Sequence, residues 1–329
     1  MTTNARRGKV RVIGSVSSTT DDPSVQTADQ FCDLSNGLRL CYRLAGQRER
    51  PAVVLLAGLA SDLTIWPEPM VDLLVQNGFF VIRLDNRDIG RSSRVPTPPP
   101  GKFRLLISRP MPDGYDLGDM AGDVAGLLDH LDIKRAHVVG MSMGGMIGQV
   151  LAARHSDRVM SLTSIFSTTG AKGVGQPAWS TRLRILSAQA PTTTSGAVAQ
   201  HLAMMRHIGG DIMTLDDTAA AAYAKGAWER GGSVPNAAGI ARQINAINAS
   251  GDRTRELSRI TAPTLVVHGD TDRMVHPSGG AATESAISFS RLLSVAGMGH
   301  DLPPAAVARV GTVIVGHMRS VDTTGSAEE

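Results

Sequence analysis

Two rhythms alternate along this chain. Short apolar runs occur at Val53–Leu56, Phe79–Leu84 and Ala136–Val139, and further strands are expected at Val159–Ile165, Thr264–His268 and Ser290–Val295. Runs of this kind, ended by Gly, Pro or Asp, are the pattern of strands buried on both faces. Between them, apolar residues recur at helical spacing over Pro67–Gln76, Leu117–Leu131, Met143–Arg154 and Pro304–Met318. In the second of these, Met120, Val124, Leu127, Leu128 and Leu131 share one face and aspartates take the other. That is the stripe of a helix packed on a core. Ahead of the first run, Phe31–Leu34 and Leu38–Leu44 flank Asn36-Gly37, the signal of a two-residue type I′ hairpin. Prolines at 96, 98, 99, 100, 110 and 112 exclude a helix running through residues 87–114.

Strands alternating with helices predict an α/β fold with a doubly wound, mostly parallel sheet. The alternation stops between about Thr169 and Arg255. Helical pieces there, such as Ser180–Gln189, Ala197–Ile208 and Ala238–Ala249, are separated by Gly, Pro and Ser, and no strand pattern intervenes. The expected organisation is a polar extension over 1–29, a core over 30–168 and 256–320, a helical insertion over 169–255, and a short polar tail over 321–329.

Composition changes this picture little. A chain of 329 residues is long enough for one large core with an insertion. The net charge is only +3, and no basic stretch interleaved with aromatics accompanies it, so a nucleic-acid partner is not expected. Arg6, Arg7, Lys9 and Arg11 read as a solvated tail. The Arg6-Arg7 pair lacks the apolar stretch that an export signal needs, so a cytoplasmic protein is expected. No apolar run approaches the length of a membrane span. Cys32 and Cys41 bracket the hairpin turn. With a two-residue loop they face each other, so either a cross-strand disulfide or two reduced thiols fit, and a cytoplasmic setting favours the thiols. No clustered metal-ligand spacing is present, and no cofactor is expected.

The candidate chemistry sits at strand ends, where doubly wound sheets bind ligands. Gly140-Met141-Ser142-Met143-Gly144 lies between a strand and a helix. This is G-x-S-x-G in the strand–turn–helix setting that lifts a serine hydroxyl out of a sheet. Such a serine needs a base, and the base needs an acid to hold its tautomer. Among the nine histidines, His300 is placed in the loop after the last strand, in Gly297-Met298-Gly299-His300-Asp301-Leu302-Pro303. No Asp or Glu occurs from Val159 to Gly210, so the loop after that strand supplies no acid. The loop after Thr264–His268 offers Asp270 and Asp272; Asp272 is favoured, with Asp270 as a turn former. For the oxyanion, the amide of Met143 and that of Leu59, beside Gly58, are the candidate donors.

The span from about residue 31 to 318 resembles the α/β-hydrolase fold family. The resemblance rests on Leu56-Ala57-Gly58-Leu59, Asp85-Asn86-Arg87-Asp88-Ile89-Gly90-Arg91-Ser92, the Ser142 turn, His268-Gly269-Asp270-Thr271-Asp272 and Gly297-Met298-Gly299-His300. It is most similar to the actinobacterial carboxylesterases and lipases and to the polyketide methyl esterases. Two positions depart from the family pattern: Ala57 stands where a His is usual, and Asp88 where a Gly is usual. The resemblance implies that Arg87 is structural and that residues 169–255 form a cap. It also implies that Trp179 and the Met204-Met205 pair line an apolar acyl pocket. A serine at the turn, where dehalogenases and epoxide hydrolases of the family carry Asp, implies hydrolysis of an ester, thioester or lactone, with a small-molecule carboxylic ester as the leading expectation. C–C bond hydrolases and cofactor-free haloperoxidases or perhydrolases share the same triad, and a slow-turnover ligand-binding protein is the alternative outside enzymes.

Overall fold

Each buried apolar run becomes a strand, and the strands assemble into one sheet whose carboxyl ends carry the candidate residues. The computed structural model describes residues 27–213, 215–234 and 236–325. The chain begins with β1 (Gln30–Asp33) and β2 (Arg39–Ala45), followed by β3 (Ala52–Leu56), α1 (Glu68–Gln76) and β4 (Phe80–Leu84). Then come α2 (Lys102–Leu106), α3 (Leu117–His130), β5 (Ala136–Met141), α4 (Met143–Arg154) and β6 (Val159–Ile165). The helices α5 (Trp179–Ser187), α6 (Thr194–Ile208), α7 (Asp217–Arg230), α8 (Ala237–Ser250) and α9 (Thr254–Leu257) form the insertion. The sheet resumes with β7 (Thr264–Gly269), α10 (Ser278–Ala286) and β8 (Ser290–Val295), and α11 (Pro304–Gly325) closes the chain.

The strand order is β1-β2-β4-β3-β5-β6-β7-β8. β2 runs antiparallel to both β1 and β4, and every other pairing is parallel. Strand residues alternate between two cores, as the two-residue period of a strand requires. Val54, Leu56 and Val138 pack with Val124 and Leu128 of α3 and Ile147 and Leu151 of α4. Val53, Leu55 and Val139 pack on the opposite face with Met70 and Leu74 of α1 and Val310 and Ile314 of α11.

Four sequence expectations need correction. The hairpin loop has three residues, not two. Cys32 pairs with Leu40 and Phe31 with Cys41. Leu34 donates to Leu38 O at 2.7 Å, Gly37 donates to Leu34 O at 2.9 Å, and Gly37 takes a φ of 81°. This is a turn closed by a left-handed glycine bulge. The Asn36 side chain is engaged elsewhere, donating to Asp123 Oδ1 at 3.0 Å. One residue of slip turns a strand side chain to the other face. Cys32 therefore joins the α3–α4 core while Cys41 meets the Arg230 guanidinium at 3.1 Å, and both thiols are free. Second, the proline-rich stretch holds the short helix α2, which fits between Pro100 and Pro110. Third, the closing helix passes Met318 to Gly325 instead of ending in a tail at 321; Asp322 on it meets His137 Nε2 at 3.1 Å. Fourth, order begins before residue 30. Thr27 pairs with Leu44, and Asp29 binds Arg43, Arg91 and Arg230. The rest of the expected extension, with its basic residues 6–11, lies outside the described residues, as do 326–329.

Candidate active site

Ser142 stands at the tip of β5, in the turn that opens α4. Its φ of 53° and ψ of −120° put a residue bearing a Cβ into strained backbone. The surrounding bonds hold it there. Ser142 N donates to Ile165 O at 2.9 Å, and its carbonyl accepts from Met146 N at 3.1 Å and from Ser167 Oγ at 2.9 Å. The flanking glycines are steric necessities. A Cβ at Gly140 would lie 2.2 Å from Gly144 O, and one at Gly144 would lie 2.2 Å from Leu56 O.

The loop after β8 brings His300 to this turn. His300 Nε2 is 3.0 Å from Ser142 Oγ, and Nδ1 is 2.7 Å from Asp272 Oδ2. Asp272 lies in the loop after β7 and is buried. Its Oδ1 accepts the backbone N–H groups of Met274 at 2.8 Å and Val275 at 2.9 Å. Its Oδ2 also lies 3.4 Å from His268 Nε2. Burial alone would raise the pKa of this carboxyl. The positive potential of His300 and the N–H groups around it outweigh that, and it is held well below the usual carboxylate range. Asp270, the other candidate acid, instead accepts Gly297 N–H at 2.7 Å and braces the His300 loop.

Two further groups shape the base, and the sequence reading singled out neither. The ring of Phe166, the first residue after β6, packs on the His300 imidazole with centroids 4.4 Å apart. Asp301 is 5 % exposed, and neither carboxylate oxygen has a bonded partner. Burial pushes its pKa up to about 6, with only partial relief from His300 and the nearby Gly210 amide.

The cap grips the same loop through its backbone. His300 N donates to Ile208 O at 2.8 Å, and Ile212 N and Met213 N both reach Gly297 O at 3.4 Å. Met213 is buried in the cluster that also holds Phe166, Met298 and Leu302. The residues expected to line the acyl pocket are placed differently. Trp179 is 78 % exposed and faces solvent, with the Arg182 guanidinium 5.2 Å from its ring centroid. Met204 lines a cavity of about 180 Å³ between α5 and α6, with Arg184 and Gln200. Met205, half-buried, closes α6 by accepting Gly209 N–H on its carbonyl at 2.7 Å. Ile208, Ile212 and Met213 are among the cap residues that meet the His300 loop; the readable signal was the Gly209-Gly210 pair, which lets the chain press against that loop.

The Met143 amide is the first of α4, ahead of any helical hydrogen bond, so it is free to face a reacting oxygen. Leu59 lies in a turn beside the nucleophile: a Cβ at Gly58 would lie 3.4 Å from Ser142 Cβ. Among the described residues no group of His, Cys, Asp and Glu is arranged to hold a metal ion, and no helix is long and apolar enough to cross a membrane.

A serine, a histidine and a buried aspartate in hydrogen-bonded series at the strand ends of this sheet define a serine-hydrolase-type enzyme. The family profile of the alpha/beta hydrolase fold matches residues 51–303, and the chain belongs to that family, as a serine ester hydrolase. Rhodomycin D methylesterase DnrP of Streptomyces peucetius is 30 % identical over 288 residues, covering 82 % of this chain and 91 % of that protein. The 3-oxoadipate enol-lactonase 2 of Acinetobacter baylyi is 29 % identical over 241 residues, covering 73 % and 79 %. The crystal structure of the enol-lactonase from Burkholderia xenovorans superposes with a TM-score of 0.68 at 26 % identity, over 88 % of this chain and all of that one (100 %).

Proposed function

We propose that this protein hydrolyses a carboxylic ester of an apolar acid through an acyl-enzyme at Ser142. His300 Nε2 takes the Oγ proton as Ser142 attacks the carbonyl carbon, and Asp272 holds His300 with Nδ1–H towards it. The carbonyl oxygen, now an anion, is bound by the amides of Leu59 and Met143. When the tetrahedral centre collapses, His300 gives its proton to the departing alkoxide and the alcohol leaves. Water, deprotonated by His300, then attacks the acyl carbon; the bond to Oγ breaks, His300 returns the proton to Ser142 Oγ, and the acid leaves. The series Asp272–His300–Ser142, at 2.7 and 3.0 Å, carries this proposal.

The substrate assignment is supported by two observations. The cap segment that hydrogen-bonds the His300 loop carries the buried apolar residues Ile208 and Met213. The relative with 30 % identity is named for a methyl ester. We therefore favour a large apolar acid part esterified to a small alcohol. Initial rates are to be measured across 4-nitrophenyl esters of increasing acyl length and across methyl esters of aromatic acids, with Ser142→Ala as control. Full activity in Ser142→Ala would sink the mechanism. A preference for short acyl chains combined with inactivity on aromatic methyl esters would sink the substrate assignment.

A further inference from the structure

The cap also reaches the loop that carries the Leu59 amide, through one side chain of α8. Gln243 is fully buried. Its Oε1 accepts the Ala60 N–H at 3.1 Å, and its Nε2 donates to the carbonyl of Arg87 at 2.9 Å. Ala60 is the third residue of a turn closed by Ser61 N–H on Gly58 O at 3.3 Å, and its φ is 61°. That left-handed backbone is disfavoured for a residue with a Cβ, so something outside the turn must hold it. The Leu59–Ala60 peptide is gripped at both ends. Ser61 Oγ donates to Leu59 O at 3.4 Å, and Gln243 takes the Ala60 N–H. The turn starts at Gly58, which lies against the Ser142 side chain. Its conformation therefore decides where the Leu59 amide sits relative to the nucleophile.

α8 is itself anchored, one residue earlier. Arg242 binds Asp88 with Nε 2.8 Å from Oδ2 and Nη2 2.6 Å from Oδ1. Asp88 also accepts Tyr115 OH at 2.9 Å and Val95 N–H at 2.9 Å, so each carboxylate oxygen has two donors. At the start of α8, Asn236 donates to Asp88 O at 2.7 Å. Asp88 holds a φ of 71°, in the position where the family motif carries glycine. The side chain that the motif lacks is here the anchor for α8.

We infer that Gln243 is a positioning residue for the oxyanion loop, set in register by the Asp88–Arg242 pair. The inference rests on the Leu59 amide acting as an oxyanion donor. A consequence is that part of the oxyanion site belongs to the cap, so the cap contributes to turnover as well as to substrate choice.

The test compares the wild type with Gln243→Met for ester turnover and for inhibition by an aryl trifluoromethyl ketone, whose adduct with Ser142 places an oxyanion on the donors. In Gln243→Met, kcat is expected to fall about 10- to 100-fold, because a donor is misplaced rather than deleted, and Ki should weaken by a similar factor. KM should stay within about 3-fold, the signature of an interaction made in the transition state. Adding Ala60→Gly, which makes the left-handed turn intrinsically accessible, should recover about tenfold of the loss. Gln243→Glu provides a second route where Gln243→Met does not fold. Protonated, it can still accept from Ala60 and donate to Arg87, so its activity should decline as that carboxyl ionises. Unchanged kcat and Ki in Gln243→Met overturn the inference. So does a loss that Ala60→Gly leaves untouched, or a Gln243→Glu pH profile identical to wild type. A wild type that the ketone does not inhibit would overturn the acyl-transfer mechanism itself, whereas an inhibited wild type with an unaffected Gln243→Met overturns only the role of Gln243.

Discussion

Replacing Asp301 with asparagine is expected to stabilise the protein at neutral pH while leaving it nearly unchanged near pH 4. The carboxyl is buried without a bonded partner, next to the ionised Asp272. It ionises near pH 6 in the fold, against 3.8 for an ordinary aspartate. A raised carboxyl pKa means that the folded state binds the extra proton between these two values. Stability associated with the protonated form is therefore complete below about pH 4 and is lost as pH rises through about 6. At 1.36 kcal/mol for each unit of pKa, ionised Asp301 costs the fold about 3 kcal/mol. The asparagine amide carries no charge to desolvate, and its own burial offsets part of the gain, leaving about 2 kcal/mol. Urea denaturation followed by circular dichroism at pH 4.5 and pH 7.5 measures the difference. An Asp301→Asn variant no more stable than the wild type at pH 7.5, or stabilised equally at both pH values, would refute the reasoning.

Other changes test other contacts. Asp272→Asn should leave His300 in the wrong tautomer and lower kcat by about 10⁴-fold, as in other serine triads, with little change in the melting temperature; steady-state kinetics with a 4-nitrophenyl ester checks it. Arg242→Met leaves the Asp88 carboxylate buried and unpaired, which costs about 3–5 kcal/mol and is read as a lowered urea midpoint. Trp179→Ala, at a solvent-facing ring, should leave kcat/KM within about 2-fold, and a larger loss would return Trp179 to the substrate pocket. Treatment of the folded protein with a thiol oxidant should leave Cys32 and Cys41 unlinked in intact-mass analysis, because they occupy opposite sheet faces.

The core was legible in the sequence because its signals are local. Strands buried on both faces must be continuous apolar runs, so β3 to β7 could be placed within a residue or two, and the exposed edge strand β8 followed from the strand–helix alternation. The turn at Ser142 needs Gly140 and Gly144 for steric reasons, the turn's own closeness at Gly140 and the adjoining end of β3 at Gly144, and those glycines appear as a motif. His300 and Asp272 could be found because a parallel sheet puts every strand end on one edge, whichever strand supplies the residue. The choice between Asp272 and Asp270 is different in kind. They stand two residues apart in one turn, and only the packed loop shows Asp270 bracing Gly297 while Asp272 meets His300.

What tertiary structure alone decided depends on contacts between distant segments. In the hairpin, Asn36 bonds Asp123 across the fold and Gly37 forms a bulge, and one residue of slip separates the two cysteines. Asp88 could not be understood from its own motif, because its meaning lies in Arg242, far along the chain on a cap helix. The cap residues beside the His300 loop include Ile208, Ile212 and Met213 rather than Trp179 and Met204, since α6 ends against that loop while Trp179 turns to solvent. The chain's local pattern thus determined the sheet, the nucleophile turn and the order of acid and base. Long-range packing determined how the cap meets them, because a helix in the insertion has no strand end to fix its place and takes its position from pairings that no local period records.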